Sequence, residues 1–356
     1  MSPPSRLAVR PGAEPAALRP AGAVALPVAV TKEARALEVA GALRLFVAGP
    51  DSGETAQLRL DPGGPRASAS IFSTLPALPL TLADAACCGS EILVTGADPL
   101  GRAVAVGLSA ADGSLLWRRE IQPEGFAWPL PGCARGPVLV SQGGGGAIEI
   151  VALAGGEPSA PRTVAAGGSS LSTFALSRGG RSLWAAWGHA GGIHAVDLGS
   201  GPGSNPGGSD AGFDLVLGSP RAGGPAALLR ELAVATWRGG VALAWLGPDG
   251  AFLALCDDAG RPLDEPARID LGDAGGGRLR LASGPEPLAW VQRGEAIEGE
   301  PMRWTSILSL PGSPPATVDG LIHDVAWWGE RVVAVGEGEI LILDSEGRAP
   351  RPEARP

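Results

Sequence analysis

The sequence predicts an all-β fold of repeated four-stranded sheets, and three observations predict it. The first is the stretch 89–121, GSEILVTGADPLGRAVAVGLSAADGSLLWRREI. Its three short apolar runs, 91–95, 103–108 and 114–121, are parted by Gly96, Pro99 and Gly101 and then by Ala110-Ala111-Asp112-Gly113. No helical period fits them, so they read as a β-meander, and 80–88 supplies a fourth, inner strand. The second is recurrence. Six further pairs of apolar runs flank turns along the chain, at intervals of roughly 40–50 residues, the period of radially stacked sheets when only strands are present. The third is punctuation. Asp61, Asp197, Asp257 and Asp344 each follow an apolar run and precede a Gly. An Asp side chain bonds the backbone two residues on, and Gly accepts positive φ. The three together predict a single seven-bladed β-propeller, with six or eight blades as alternatives.

The elements follow in order. Residues 1–22 are rich in Pro, Ala and Arg and read as a tail. Residues 23–31 (AVALPVAVT) form the first strand-like run, and 32–39 read as one helical turn or the start of a strand near Leu37. Runs 42–48 and 55–60 make a hairpin around Pro50-Asp51-Ser52-Gly53, a good turn sequence. Pairs 138–142 with 147–153, 182–187 with 193–198, and 241–246 with 252–256 repeat the pattern. Residues 225–236 (PAALLRELAVAT) have helical composition, but Gly239-Gly240 and another strand follow at once, favouring an inner strand at 232–237. Runs 288–292 and 304–310 flank a Glu-rich loop, and 321–327, 331–335 and 340–343 make the last blade. Its outer strand is missing, because 348–356 is too Pro-rich to join a ladder. The N-terminal run 23–31 is expected to fill it and close the ring, with Pro27 on an edge. The propeller would then span 23–347, between tails at 1–22 and 348–356.

Composition narrows the function. The chain has 356 residues, 45% hydrophobic and 18% charged, as an ordered globular protein does. A net charge of −9 argues against a general nucleic-acid binder, which shows a basic face. No secretory signal core and no membrane-spanning apolar run is evident, so the expectation is a cytoplasmic protein. Cys87, Cys88, Cys133 and Cys256 match no zinc or haem spacing and read as small buried hydrophobes of a reducing compartment.

Residues 104–118 (VAVGLSAADGSLLWR) resemble the repeat of quinoprotein-like and WD40-like bacterial propellers, in which an apolar strand leads to Leu-Asp, a Thr-Gly turn and Leu-Trp. Leu108, Gly113, Leu116 and Trp117 match; Ser109 and Asp112 depart. The resemblance implies that Trp117 packs between neighbouring blades. Quinoprotein dehydrogenases also carry an adjacent disulfide beside the quinone and a bound calcium, which makes Cys87-Cys88 of interest. The single Asn, Asn205, speaks against that calcium site, and neither cofactor nor metal is expected.

Few residues suggest chemistry. His189 and His194 bracket a hairpin tip without an evident third ligand. His323-Asp324, on a proposed inner strand facing the channel, could act as an oriented general base, but no nucleophile motif accompanies it. Gly143 to Gly146 lies between two strands, so no helix N-terminus is there to hold phosphate. The acidic run 295–300 (EAIEGE) reads as a solvated loop tip. Trp327-Trp328 places one ring on each face of a strand, and Trp128 lies in a connection, so these three are candidate partner anchors. The function expected is a non-enzymatic protein-interaction scaffold of a bacterial cytoplasmic complex, monomeric outside it. The alternative is a small-ligand- or metal-binding enzyme of hydrolase or lyase type, using the channel near His323 and Asp324.

Overall fold

A computed structural model describes residues 6–10, 18–48, 53–61, 72–121, 129–133, 136–142, 147–165, 174–177, 182–189, 192–198, 212–216, 229–247, 250–269, 278–296 and 302–345. Within them the chain is all-β, and its strands form seven antiparallel sheets. Strands β1 (Ala8–Val9) and β2 (Leu18–Ala25) precede the first complete blade. Blade I is β3 (Ala34–Val39), β4 (Ala42–Ala48), β5 (Thr55–Leu60) and β6 (Ser73–Leu78). Blade II is β7 (Thr81–Cys88), β8 (Glu91–Ala97), β9 (Ala103–Ser109) and β10 (Leu115–Glu120). Blade III is β11 (Leu130–Cys133), β12 (Pro137–Gln142) and β13 (Ile148–Ala154), with β14 (Glu157–Pro158) and β15 (Arg162–Ala165) both on β13. Blade IV is β16 (Phe174–Leu176), β17 (Trp184–His189), β18 (Gly192–Asp197) and β19 (Gly212–Val216). Blade V is β20 (Glu231–Trp237), β21 (Gly240–Gly247), β22 (Gly250–Cys256) and β23 (Ala267–Ile269). Blade VI is β24 (Arg278–Ala282), β25 (Leu288–Glu295), β26 (Arg303–Ser309) and β27 (Ala316–Asp319). Blade VII is β28 (Asp324–Trp328), β29 (Arg331–Val335) and β30 (Glu339–Ser345).

The core lies between the blades. Seven apolar clusters occupy the seven seams, one per pair of neighbours. Side chains alternate along each strand, so one sheet feeds two seams. On β21, Val241, Leu243 and Trp245 face blade IV, while Ala242, Ala244 and Leu246 face blade VI. This is why the strands read as unbroken apolar runs: both faces of each sheet are covered. Fully burying a Leu or Phe side chain stabilises by about 1.5–3 kcal/mol. Exposed pairs such as Arg59–Asp61 are worth about 0–1 kcal/mol. Apolar packing therefore decides the arrangement.

Among the described residues, the seam between blades II and III is the leanest. Its buried members are Leu93, Ala105, Leu139 and Leu153. Trp117, from the outer strand β10, packs against this cluster, as the resemblance implied. Its Nε1–H donates to Glu91 Oε1 at 2.6 Å. Gly107 and Gly156 admit the ring: a Cβ on either would come within 2.2 Å and 2.7 Å of it.

The N-terminus closes the ring, but not with the run the sequence favoured. Residues 18–25, not 23–31, pair with β30, from Leu18↔Ser345 to Ala25↔Glu339. Only Leu18 and Val24 of this strand are buried, so its composition is mostly that of an exposed edge. Pro20 sits where the register shifts, at a bulge that spares it a ladder donor. Residues 26–31 run on as a connection, with Val28 and Val30 packed against the seam of blades VII and I. Nor is 1–22 all tail. β1 adds a fifth strand to blade VI, pairing with β27, and Leu7 enters the seam of blades VI and VII. Residues 32–39 form no helical turn, since β3 begins at Ala34. The inner strand of blade VII starts at Asp324, later than 321. The strand reading of 232–237 holds, lengthened by Glu231, while 225–228 and 348–356 lie outside the described residues.

Removing residues 1–25 strips an outer strand from blade VII and uncovers Leu341 and Leu343. The truncated protein is expected to lose its cooperative thermal transition or to melt at least about 10 °C lower, read by circular dichroism. An unchanged melting curve would refute closure by β2.

Candidate functional site

The inner strands β3, β7, β11, β16, β20, β24 and β28 line a central channel of about 830 Å3. They run in one sense around the axis; Trp237 and Gly284, at the ends of β20 and β24, form a parallel bridge. Charges sit early on several of these strands: Arg35 on β3, Asp84 on β7, Glu231 on β20, Arg278 on β24 and Asp324 on β28.

One wall is self-satisfied. Arg35 is 5% exposed. Its Nε donates to Asp84 Oδ1 at 2.8 Å, its Nη1 to Glu33 Oε2 at 2.9 Å and to Ala34 O at 2.7 Å, and its Nη2 to Ala83 O at 3.1 Å. The Ala83 carbonyl is available because the β7–β8 register shifts between Leu82 and Asp84. Asp324 Oδ2 accepts the Ala36 N–H at 2.9 Å. Burial opposes the guanidinium charge, but Asp84, Asp324 and Glu33 outweigh it and raise the Arg35 pKa. One arginine and two aspartates thus stitch blades VII, I and II together. Sequence reading singled out Asp324 but missed Arg35 and Asp84; the signal was a lone charge recurring on short, small-residue inner strands.

Asp324 is not the group that orients His323. A carbonyl only accepts, so His323 Nδ1 carries the proton that it gives to Lys32 O at 3.2 Å. Asp324 is committed to Ala36 and the Arg35 network. His323 Nε2 is buried and has no hydrogen-bond partner among the described residues. Burial lowers the imidazole pKa, against the opposing pull of the Lys32 carbonyl, Glu337, Glu33 and Asp324.

The opposite wall differs. Burial raises the Glu231 pKa, while Arg278 and Arg280 pull it down. Three indoles line the channel here: Trp237, Trp290 and Trp327. The proposed anchors Trp327 and Trp328 are in fact 5% and 6% exposed. Each ring faces a different seam, Trp327 toward blade VI and Trp328 toward blade I, because the sheet is covered on both sides. Trp328 Nε1–H donates to Gly41 O at 2.8 Å. Trp128 lies outside the described residues, as do Gly143 to Gly146 and 297–300 of the acidic run.

His194 lies against Trp187, with ring centroids 4.5 Å apart and the planes tilted by 49°. No cluster of three metal-ligating side chains occurs among the described residues. Cys88, on the inner strand of blade II, donates its thiol to Gly132 O at 3.3 Å. The Asp punctuation is visible in the turns: Asp257 Oδ1 accepts from Ala259 N at 2.9 Å, and Asp112 Oδ1 from Ser114 N at 3.1 Å.

Two measurements test this site. Asp84→Ala leaves a buried guanidinium short of its main partner and is expected to destabilise by about 3–5 kcal/mol in chemical denaturation. A loss below about 1 kcal/mol would place Arg35 in solvent instead. The second concerns pH. The unfolded chain takes up a proton at His323 below its ordinary pKa of 6.5, and the folded chain only at lower pH. Stability from this group is complete above 6.5 and is lost as pH falls toward the folded value. The melting temperature should drop between about pH 7 and about pH 5, and His323→Gln should flatten that drop. An equal slope in the variant would contradict it.

No family model and no curated protein matches the sequence. Solved structures do. The WD40 domain of SCAP from fission yeast is 9% identical, with 93% of this chain and 99% of that chain covered and a TM-score of 0.48. A chain of the Mitotic Checkpoint Complex is 14% identical, with 96% and 99% covered and a TM-score of 0.54. At such identity the likeness is one of fold alone, and that fold is the seven-bladed β-propeller seen in the sheet topology.

Proposed function

We propose that this propeller is a non-enzymatic protein-interaction scaffold in a bacterial cytoplasmic complex, and that its outer strand β10 is a docking edge. The observation that carries the reading is the contrast among outer strands. β6 contains Pro76, β15, β19 and β23 have four, five and three residues, β27 is covered by β1, and β30 by β2. β10 has six residues, no Pro and, among the described strands, no neighbour beyond β9. It exposes Leu115 and Leu116 at 53% and 54%. An uncovered edge of this kind pairs readily with an extended segment of another protein, which gains main-chain hydrogen bonds and apolar contact at once. Membership of a similar propeller in the Mitotic Checkpoint Complex agrees with scaffold work. In the channel, Asp324 is committed to the Ala36 amide, and His323 is not among the lining residues.

The test compares complexes captured from the native host. Leu115→Asp/Leu116→Asp should lose a stoichiometric partner that the unchanged protein and His323→Ala retain, with melting temperature unaffected. If the double variant keeps every partner, β10 is not the docking edge. If His323→Ala abolishes capture, the channel reading gains instead.

A further inference from the structure

Two thiols meet where blades II and III have their sparse apolar seam. Cys88 ends β7 and Cys133 ends β11, inner strands of neighbouring blades that pack on one another. The Cys88 Sγ lies 3.3 Å from the carbonyl oxygen of Gly132, the residue before Cys133. The two cysteine side chains are also hydrogen-bonded to each other. Cys87 points elsewhere. Successive side chains of a strand take opposite faces, and Cys87 packs toward the seam of blades I and II. An adjacent Cys87-Cys88 disulfide is therefore not the pairing that this strand favours.

Cys88 does not behave as a plain core residue. Cys256 does: it is fully buried and belongs to the apolar cluster between blades IV and V. Cys88 is 9% exposed, yet its sulfur meets a carbonyl and a thiol. Cys133 is the part-exposed member of the pair. The hydrogen bond from Cys88 lowers the Cys133 pKa, against the opposing effect of burial. The same bond, together with burial, raises that of Cys88. Cys133 is thus the readier thiolate, and the thiolate is the form that attacks a disulfide.

We propose that Cys88 and Cys133 are a modification site, a reversible disulfide between blades II and III formed by exchange with a small disulfide of the glutathione class. The Cys133 thiolate attacks one sulfur of the reagent, whose S–S bond breaks and releases one thiolate. Cys88 then gives up its proton and attacks the Cys133 sulfur of the mixed disulfide, expelling the second thiolate. The two protein thiols lose two electrons and two protons, and the reagent leaves as two thiols. The bridge spans the seam whose buried apolar members are Leu93, Ala105, Leu139 and Leu153. Closing the loop between residues 88 and 133 constrains the unfolded chain, which stabilises the fold. In reducing compartments the disulfides that do form are mostly transient and redox-sensing, which suits a pair with one part-exposed member. The site is separate from the β10 edge and stands or falls without it.

The full chain is incubated with oxidised glutathione, its remaining thiols are alkylated, and it is digested with trypsin. Cleavage after Arg66, Arg102, Arg119 and Arg135 places Cys87 and Cys88 in peptide 67–102 and Cys133 in peptide 120–135. The expected result is these two peptides joined, and a melting temperature at least about 3 °C above that of the reduced protein, both reversed by dithiothreitol. Cys87→Ser should keep the link. Cys88→Ser should stop at glutathione on Cys133, and Cys133→Ser should give neither adduct nor link. The decisive reading is made on the unchanged chain, so it does not depend on how well a variant folds. All 4 cysteines still alkylated after oxidation would overturn the proposal. So would a bridge within peptide 67–102, or glutathione on Cys133 that never resolves to the link.

Discussion

Every sheet in this molecule is apolar on both faces, and that constraint governs the rest. A sheet with one dry face can end in solvent on the other. A sheet such as blade V, with Val241, Leu243 and Trp245 on one side and Ala242, Ala244 and Leu246 on the other, must have a neighbour on each side. The stable arrangement is a ring without a first or last member. Blade number then follows from how many such sheets the chain encodes, and buried polar side chains on the middle strands, such as Arg44 and Gln292, donate to carbonyls of the next blade.

At the hub, small-residue strands bring backbones close, and few charged side chains fit. Those present are set against one another across the axis. Arg35 is enclosed by Asp84, Glu33 and two carbonyls on the side of blades I and II, while Arg278 and Arg280 face Glu231 across from it. The first group is mechanical: it ties three blades together where the ring is sealed. The second group lies near three indoles, Trp237, Trp290 and Trp327, that line the same channel.

Much of the fold was legible. Paired runs with turn residues between them gave the central hairpins nearly to the residue, as with 42–48 and 55–60. Trp117 was legible through its resemblance to a known repeat, because its role depends on a local pattern. Other features were hidden for physical reasons. The closing strand, LRPAGAVA, has mostly exposed positions on an outer edge, so it carries no apolar pattern, and the more apolar 23–31 drew attention instead. The burial of Trp327 and Trp328 depends on sheets far away in sequence. The hub arginines look like ordinary surface charges until seven strands are arranged around one axis. Asp324 was noticed for its neighbour His323, yet its actual partner is the Ala36 amide, distant along the chain.

Ring closure also sets a timetable. Leu18 to Ala25 pair with Glu339 to Ser345, and Ala8 and Val9 with Val318 and Asp319. On a ribosome the earlier segment emerges while nearly the whole chain is still unmade. Blades I to V can assemble in sequence as they appear, but the opening residues must wait, unmated, until the last sheet arrives. For this propeller, folding is complete only once its last sheet has been made.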